Sequence, residues 1–181
     1  MNKFLRFDSV GGASGDMILS ALSALGADLP AIETALNAFF PERLHVHADP
    51  ASAAGLNGLR VTVHAECRHG HADSEWPDAH EHSHAHQDHA HEHAHPHQAH
   101  AHEHRGLAEI ERLLARAPIS EASRSLSLSV FRKLAEAEAK IHGKTPETVH
   151  FHEVGAWDSV ADIVGSCLAL EQLGVSGVAC G

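Results

Sequence analysis

Twelve of the twenty-five residues from His80 to His104 are histidine: His80, His82, His84, His86, His89, His91, His93, His95, His97, His100, His102 and His104. Most recur as His-x-His, with Ala, Glu, Asp or Gln between them. Neutral imidazoles at this density are ligands for divalent metal. Imidazole suits Zn, Cu and Ni, whereas an oxygen-rich tract would suit Mg or Ca. The tract is internal and interrupted, unlike the unbroken terminal run of an affinity tag. It specifies metal binding without specifying a geometry or a reaction.

Two further segments concentrate groups that could do chemistry. The first is Asp8-Ser9-Val10-Gly11-Gly12-Ala13-Ser14-Gly15-Asp16-Met17. It lies where a strand should feed a helix N-terminus, so Gly11, Gly12, Ser14 and Gly15 could offer backbone N–H groups to an anion. Asp8 and Asp16 put two carboxylates beside that loop. No Gly-Lys-Ser/Thr follows, so it is not a P-loop, and the spacing is not a dinucleotide fingerprint. The plainer alternative is a tight turn in which Asp16 only complements the helix dipole. The second segment runs from His150 to Asp162 and contains His152, Glu153, Gly155 and Asp158. His150 and His152 share a side if the chain is extended, and Asp158 falls at a helix N-cap with Asp162 one turn on. Such a set could hold a borderline metal or move protons. The plainer alternative is a capped helix with solvated histidines. His45, His47, His64 and His142 read as polar-face residues.

The elements that must position these groups follow from periodicity. Phe4–Phe7 predicts a short strand, and Ser14 caps a helix with Ile18, Leu22 and Leu25 on one face and Gly26 as its stop. Pro30 opens a second helix carrying Ile32, Leu36 and Phe39, closed by Pro41. Leu44, Val46 and Ala48, then Leu59, Val61 and Val63, alternate with polar residues as paired strands, with Gly55 and Asn57-Gly58 in the connection. After the tract, Leu107, Ile110 and Leu114 mark a helix ended by Pro118. A long helix follows from Ser120 to His142, with Val130, Leu134, Ala137 and Ile141 as its buried face and Gly143 as its stop. The last helix spans Ser159–Leu173, and Val175–Cys180 begins a strand. This order predicts an α+β fold: a single domain with short mixed strands and about five helices, interrupted by a disordered His-rich insert.

From Ala72 to His104 the chain has no Ile, Leu, Val or Phe, and Trp76 is its only large apolar side chain. That segment cannot offset the entropy of ordering and is expected to be disordered without metal. The organisation is therefore residues 1–71 and 105–181 as two parts of one domain, with 72–104 as the insert. Roughly 145 residues remain, enough for one core. A terminal strand with nothing after it suggests a fragment of something longer. The net charge of −11 removes any general attraction to nucleic acid or anionic membranes. Three cysteines (Cys67, Cys167, Cys180) without a Cys-x-x-Cys fit a reducing, cytoplasmic setting. No apolar run is of membrane-spanning length.

Taken together, the Asp8–Met17 motif, the internal histidine-rich insert and Val149–Gly165 (VHFHEVGAWDSVADIVG) resemble the N-terminal part of the nickel-insertion proteins of nickel-pincer cofactor synthesis, the LarC family. The likeness spans essentially the whole chain. It implies a CTP-dependent insertion of Ni2+ into pyridinium-3,5-bisthiocarboxylic acid mononucleotide. CTP, with Mg2+ or Mn2+, would be handled by a C-terminal part that this chain lacks, and that part would be a partner alongside the mononucleotide. A homo-oligomer is also compatible with this picture. On this reading His150 and His152 ligate metal with Glu153 and Asp158. Asp8 and Asp16 hold a second cation or orient a substrate phosphate over the Gly11–Gly15 loop, and Asp162 joins the catalytic carboxylates. Two other readings stay open: a metal storage or chaperone module, and a metal-dependent hydrolase or nucleotidyl-transfer enzyme.

Overall fold

A computed structural model describes residues 3–8, 12–53, 55–66, 105–151 and 154–181. The histidine tract with Cys67 and Trp76, the loop residue Gly11, and His152 and Glu153 lie outside the described residues. By its internal contacts the chain divides into Met1–Glu66 with His102–Gly181, and Cys67–Ala101; the first unit is the one described below.

Among the described residues nine elements follow in order: β1 (Lys3–Phe7), α1 (Gly15–Ala24), α2 (Leu29–Asn37), β2 (Leu44–Ala53), β3 (Leu56–Ala65), α3 (Leu107–Arg116), α4 (Glu121–His142), α5 (Trp157–Gln172) and β4 (Val175–Cys180). β1 pairs in parallel with β4, which brings the two ends of the described chain together, and β2 pairs antiparallel with β3. Helices pack around two separate two-stranded sheets, so the fold is the α+β domain expected, with five helices. No described helix is long and apolar enough to cross a membrane.

Helix α5 is the centre of the core. Trp157, Val160, Ala161, Val164, Gly165, Cys167 and Ala169 are all buried, which leaves few positions for solvent; a helix apolar around most of its circumference belongs inside. α1, α2 and α4 pack on it, as do both β3 and β4. A Cβ on Gly165 would stand 3.4 Å from both Ile32 and Leu19, so the absent side chain lets α5 lie against α1 and α2. Leu19, Leu22, Ile32, Leu36, Leu44, Val61, Ile110, Leu114, Phe131 and Phe151 complete the core. Polar ties secure the hairpin to the helices: Val61 N donates to Ser20 Oγ at 2.8 Å, Val46 N to Glu33 Oε2 at 2.9 Å, and the Asn37 amide bonds both backbone groups of Leu44.

Four local expectations are corrected. α4 does not bury Val130, Leu134, Ala137 and Ile141; it buries Ser123, Ser127, Phe131, Ala135 and Ala139, while Ile141 is 79% exposed. The small residues of this second stripe allow close approach to α5, and one Phe there fills the space that a row of branched side chains would overfill. Asn57 and Gly58 are not in the hairpin connection but pair in β3 with Ser52 and Ala51, and Gly55, just before β3, has φ 79°. α5 begins at Trp157 with Ala156 in the cap position, so Asp158 sits inside the first turn rather than at the N-cap. On α1 it is Leu19 and Leu22 that are buried, while Leu25 lies past the last turn and is exposed.

Candidate functional site

The two motifs meet through the N-terminal turns of α1 and α5. Ser14 precedes α1 in extended conformation, and its hydroxyl hydrogen-bonds the Asp16 carboxylate instead of capping a backbone N–H. Gly15 opens the helix directly against Asp162, where an added Cβ would lie 2.8 Å from the Asp162 Cβ. No other residue type brings the two backbones this close without displacing that carboxylate. Upstream, Gly12 has φ 107°, a conformation that favours glycine.

Asp162 is one turn beyond Asp158 on α5 and lies against the start of α1, which carries Asp16. Burial first, and then the negative charges of Asp16 and Asp158, together push the Asp162 carboxyl up from its ordinary 3.8 to about 7. Its Oδ1 is buried and meets no hydrogen-bond partner among the described residues. Asp158 is exposed, and its Oδ1 accepts from Ser159 N at 2.7 Å. Asp162 therefore lies under the influence of two other carboxylates, one from its own helix and one from the start of α1. Such an arrangement favours either a proton or a cation between them. Among the described residues, however, no group of three or more His, Cys, Asp or Glu side chains already converges tightly enough to hold a metal ion.

The remaining candidates are placed less compactly. Asp8 is exposed at the end of β1 and accepts from Arg6 Nε at 2.8 Å. With Phe7, Gly12, Ala13, Met17, Ile18 and Ala21 it borders an open depression of about 210 Å3, smaller than the ~300–1,000 Å3 typical of a small-molecule pocket. His150 is exposed in an extended segment whose neighbours Val149 and Phe151 are buried, and it bridges to Gly106.

One residue with no signal in the sequence organises this end of the fold. Arg105, directly after the last tract histidine, is 6% exposed. Its guanidinium lies 3.8 Å over the Trp157 ring, and Nη1 donates to the Gly155 carbonyl at 2.9 Å. The Glu109 carboxylate is 3.5 Å from Nε. Gly155 has no room for a side chain, since a Cβ would come within 2.8 Å of the Phe151 carbonyl. Arg105 thereby ties the point where the histidine tract ends to the turn that launches α5. A lone arginine after a polar tract looks like any solvated residue; only the fold puts Trp157 beneath it.

Comparison with known proteins bears on this geometry. Residues 5–181 match the family model described as nickel insertion protein. The chain is 38% identical over 180 residues to a pyridinium-3,5-bisthiocarboxylic acid mononucleotide nickel insertion protein of Akkermansia muciniphila, with 96% of this chain covered. It is similar to proteins of the same description from Staphylococcus epidermidis (32% over 180 residues, 99% covered) and Acetivibrio thermocellus (33% over 177 residues, 96% covered). The chain spans 37% of the length of each of these relatives. No solved structure matches.

Proposed function

The chain belongs to the nickel insertion protein family, and on that premise we propose that it is the nickel-handling part of an enzyme that places Ni2+ in pyridinium-3,5-bisthiocarboxylic acid mononucleotide, a chelatase-type reaction in the cytoplasm. The observation that carries this reading is the contact of Gly15 with Asp162, which joins the two sequence motifs in one carboxylate cluster. In this scheme the histidine tract gathers nickel. Asp16, Asp158 and Asp162, with His150, His152 and Glu153 from the adjoining segment, receive it and present it to the mononucleotide. Borderline Ni2+ accepts both imidazole nitrogen and carboxylate oxygen, so a mixed set can hold it and still release it. A carboxyl that holds its proton up to about 7 would release it to water when nickel takes its place at Asp162, so loading would be favoured as pH rises.

The described residues do not fit a nucleoside triphosphate. Carboxylates crowd the helix termini, and the nearby Arg6 is paired with Asp8. We therefore assign CTP and its Mg2+ or Mn2+ to the part of the protein beyond this chain and route no step through them here. The mononucleotide is the small-molecule partner, and neither nucleic acid nor membrane enters the scheme. The test is nickel insertion by the complete protein, read as the nickel-containing mononucleotide by mass spectrometry. Asp162→Asn and Asp16→Asn should each lower the insertion rate by at least tenfold at saturating nickel, while removal of residues 80–104 should matter mainly at limiting nickel. Full activity in both Asp variants would overturn the assignment.

A further inference from the structure

We propose that the outer face of the β2–β3 hairpin carries a second, fixed binding site for a borderline divalent cation of the nickel–zinc group, built from His45, His47 and His64. The register puts His45 directly opposite His64, with His47 two residues along the same strand and opposite Thr62. Residues two apart on a strand, and residues facing each other across a pair, share one side of the sheet. The other side is occupied by Leu44, Val46, Val61 and Val63, which are buried or packed against the core, so the three imidazoles all stand on the outward side.

The rings are already neighbours. The His47 ring centroid lies 6.2 Å from that of His45 and 6.4 Å from that of His64. Metal–nitrogen bonds of about 2.0–2.1 Å place the centroids of ligating imidazoles roughly 5 Å apart in tetrahedral and about 4.5 Å apart in octahedral geometry. The His47 ring therefore stands a little over ~1 Å beyond a tetrahedral spacing, and nearly ~2 Å beyond an octahedral one, from each of its two neighbours, so the three imidazoles do not converge on one point as they stand. Rotation of surface side chains closes such a gap without moving the backbone, whose register already supplies a His-x-His strand and a third histidine across from it. Glu66 adds the support that metal-bound imidazoles commonly have: its Oε1 lies 2.6 Å from His45 Nε2, and the Glu66 N–H donates to the Arg43 carbonyl at 2.8 Å. With Nε2 donating to Glu66, His45 keeps Nδ1 for the metal. Three neutral nitrogens select Ni, Cu or Zn over Mg or Ca.

The position gives the site a use. Glu66, just after β3, is followed in the chain by Cys67, His69 and His71 and, further on, by the histidine tract, so only a short stretch of chain separates the hairpin from that tract. The site would hold one ion at defined geometry at the root of a segment that collects many. Its service as a way-station for nickel rests on the function proposed above; its capacity to bind metal does not.

The experiment uses the full chain with the twelve histidines between His80 and His104 changed to glutamine, titrated calorimetrically with Ni2+ alone and, separately, with Mg2+ alone. The expected result includes one nickel ion whose affinity falls at least tenfold in His47→Gln and again in His64→Gln, and is unchanged in His142→Gln and Asp162→Asn. Mg2+ should not compete for it. Both substitutions are at exposed positions, and coincident thermal melts without metal verify the fold. Absence of nickel binding, or binding unaltered by His47→Gln and His64→Gln, would overturn the inference. Nickel binding lost only in Asp162→Asn would overturn it too, while leaving the carboxylate reading of the function standing. Loss of insertion in Asp162→Asn with the hairpin ion still bound would separate the two sites.

Discussion

Asp162→Asn is expected to stabilise the metal-free protein, and the gain should grow with pH. The folded carboxyl keeps its proton up to about 7, while in the unfolded chain it releases the proton near 3.8. Between those values the native state binds more protons than the unfolded state, so this group's contribution to stability falls as pH rises. Above pH 7 the penalty is complete, because a charge is then held beside Asp16 and Asp158 in a partly desolvated site. A change from 3.8 to about 7 corresponds to roughly 4 kcal/mol at 1.36 kcal/mol per tenfold change in proton affinity. Asp162 is only partly buried, and solvent screening reduces the figure to about 1–2 kcal/mol. Asn has nearly the same shape and no charge at any pH, so it escapes the penalty. Thermal melts by circular dichroism at pH 4.5 and pH 8 in chelator should show the variant close to the parent at the lower pH. At pH 8 the variant should melt higher by about 2–8 °C. Saturating nickel at pH 8 should narrow that gap by stabilising the parent more than the variant. A melting difference that does not grow with pH, or a variant that melts lower at pH 8, would refute the reasoning.

Phe131→Ala should cost about 3–5 kcal/mol in chemical denaturation, because the ring is fully buried, whereas Ile141→Ala on the same helix should stay within about 0.5 kcal/mol. Gly15→Ala gains up to about 1 kcal/mol of helix propensity but brings a Cβ to 2.8 Å from Asp162, so a net loss of about 1–2 kcal/mol is expected by urea titration; a gain would mean that α1 and α5 yield at this contact. Total nickel capacity measured by equilibrium dialysis should collapse between about pH 7 and pH 5, since tract imidazoles must be neutral to coordinate and an unperturbed imidazole has its pKa at about 6.5; equal occupancy at both pH values would place the metal on carboxylates or thiols instead.

Much of the fold could be read along the chain because its signals are local. Ser120 and Gly143 bound a 22-residue helix from either end, the one as a cap whose oxygen accepts from Ser123 N and the other as a left-handed stop at φ 62°. Alternation of apolar and polar residues likewise marked both strands of the hairpin. The face of α4 was not readable. Two stripes run along that helix, and of the one with the bulkier residues Val130 and Leu134 are only half-buried while Ile141 is exposed. Periodicity ranks stripes by hydrophobicity, whereas packing against α5 selects the stripe whose small side chains admit a close neighbour.

The site divides in the same way. Residue types and spacing alone carried the expectation of metal handling and singled out the two polar motifs, because ligand chemistry depends on which groups are present. Tertiary structure alone decided that Gly15 touches Asp162, that Arg105 lies over Trp157, and that His45, His47 and His64 share one outward face. Each of these joins residues held together by helix packing or strand register rather than by closeness in the chain. A sequence carries the list of ligands; which of them can reach one another is decided by how the elements pack around α5.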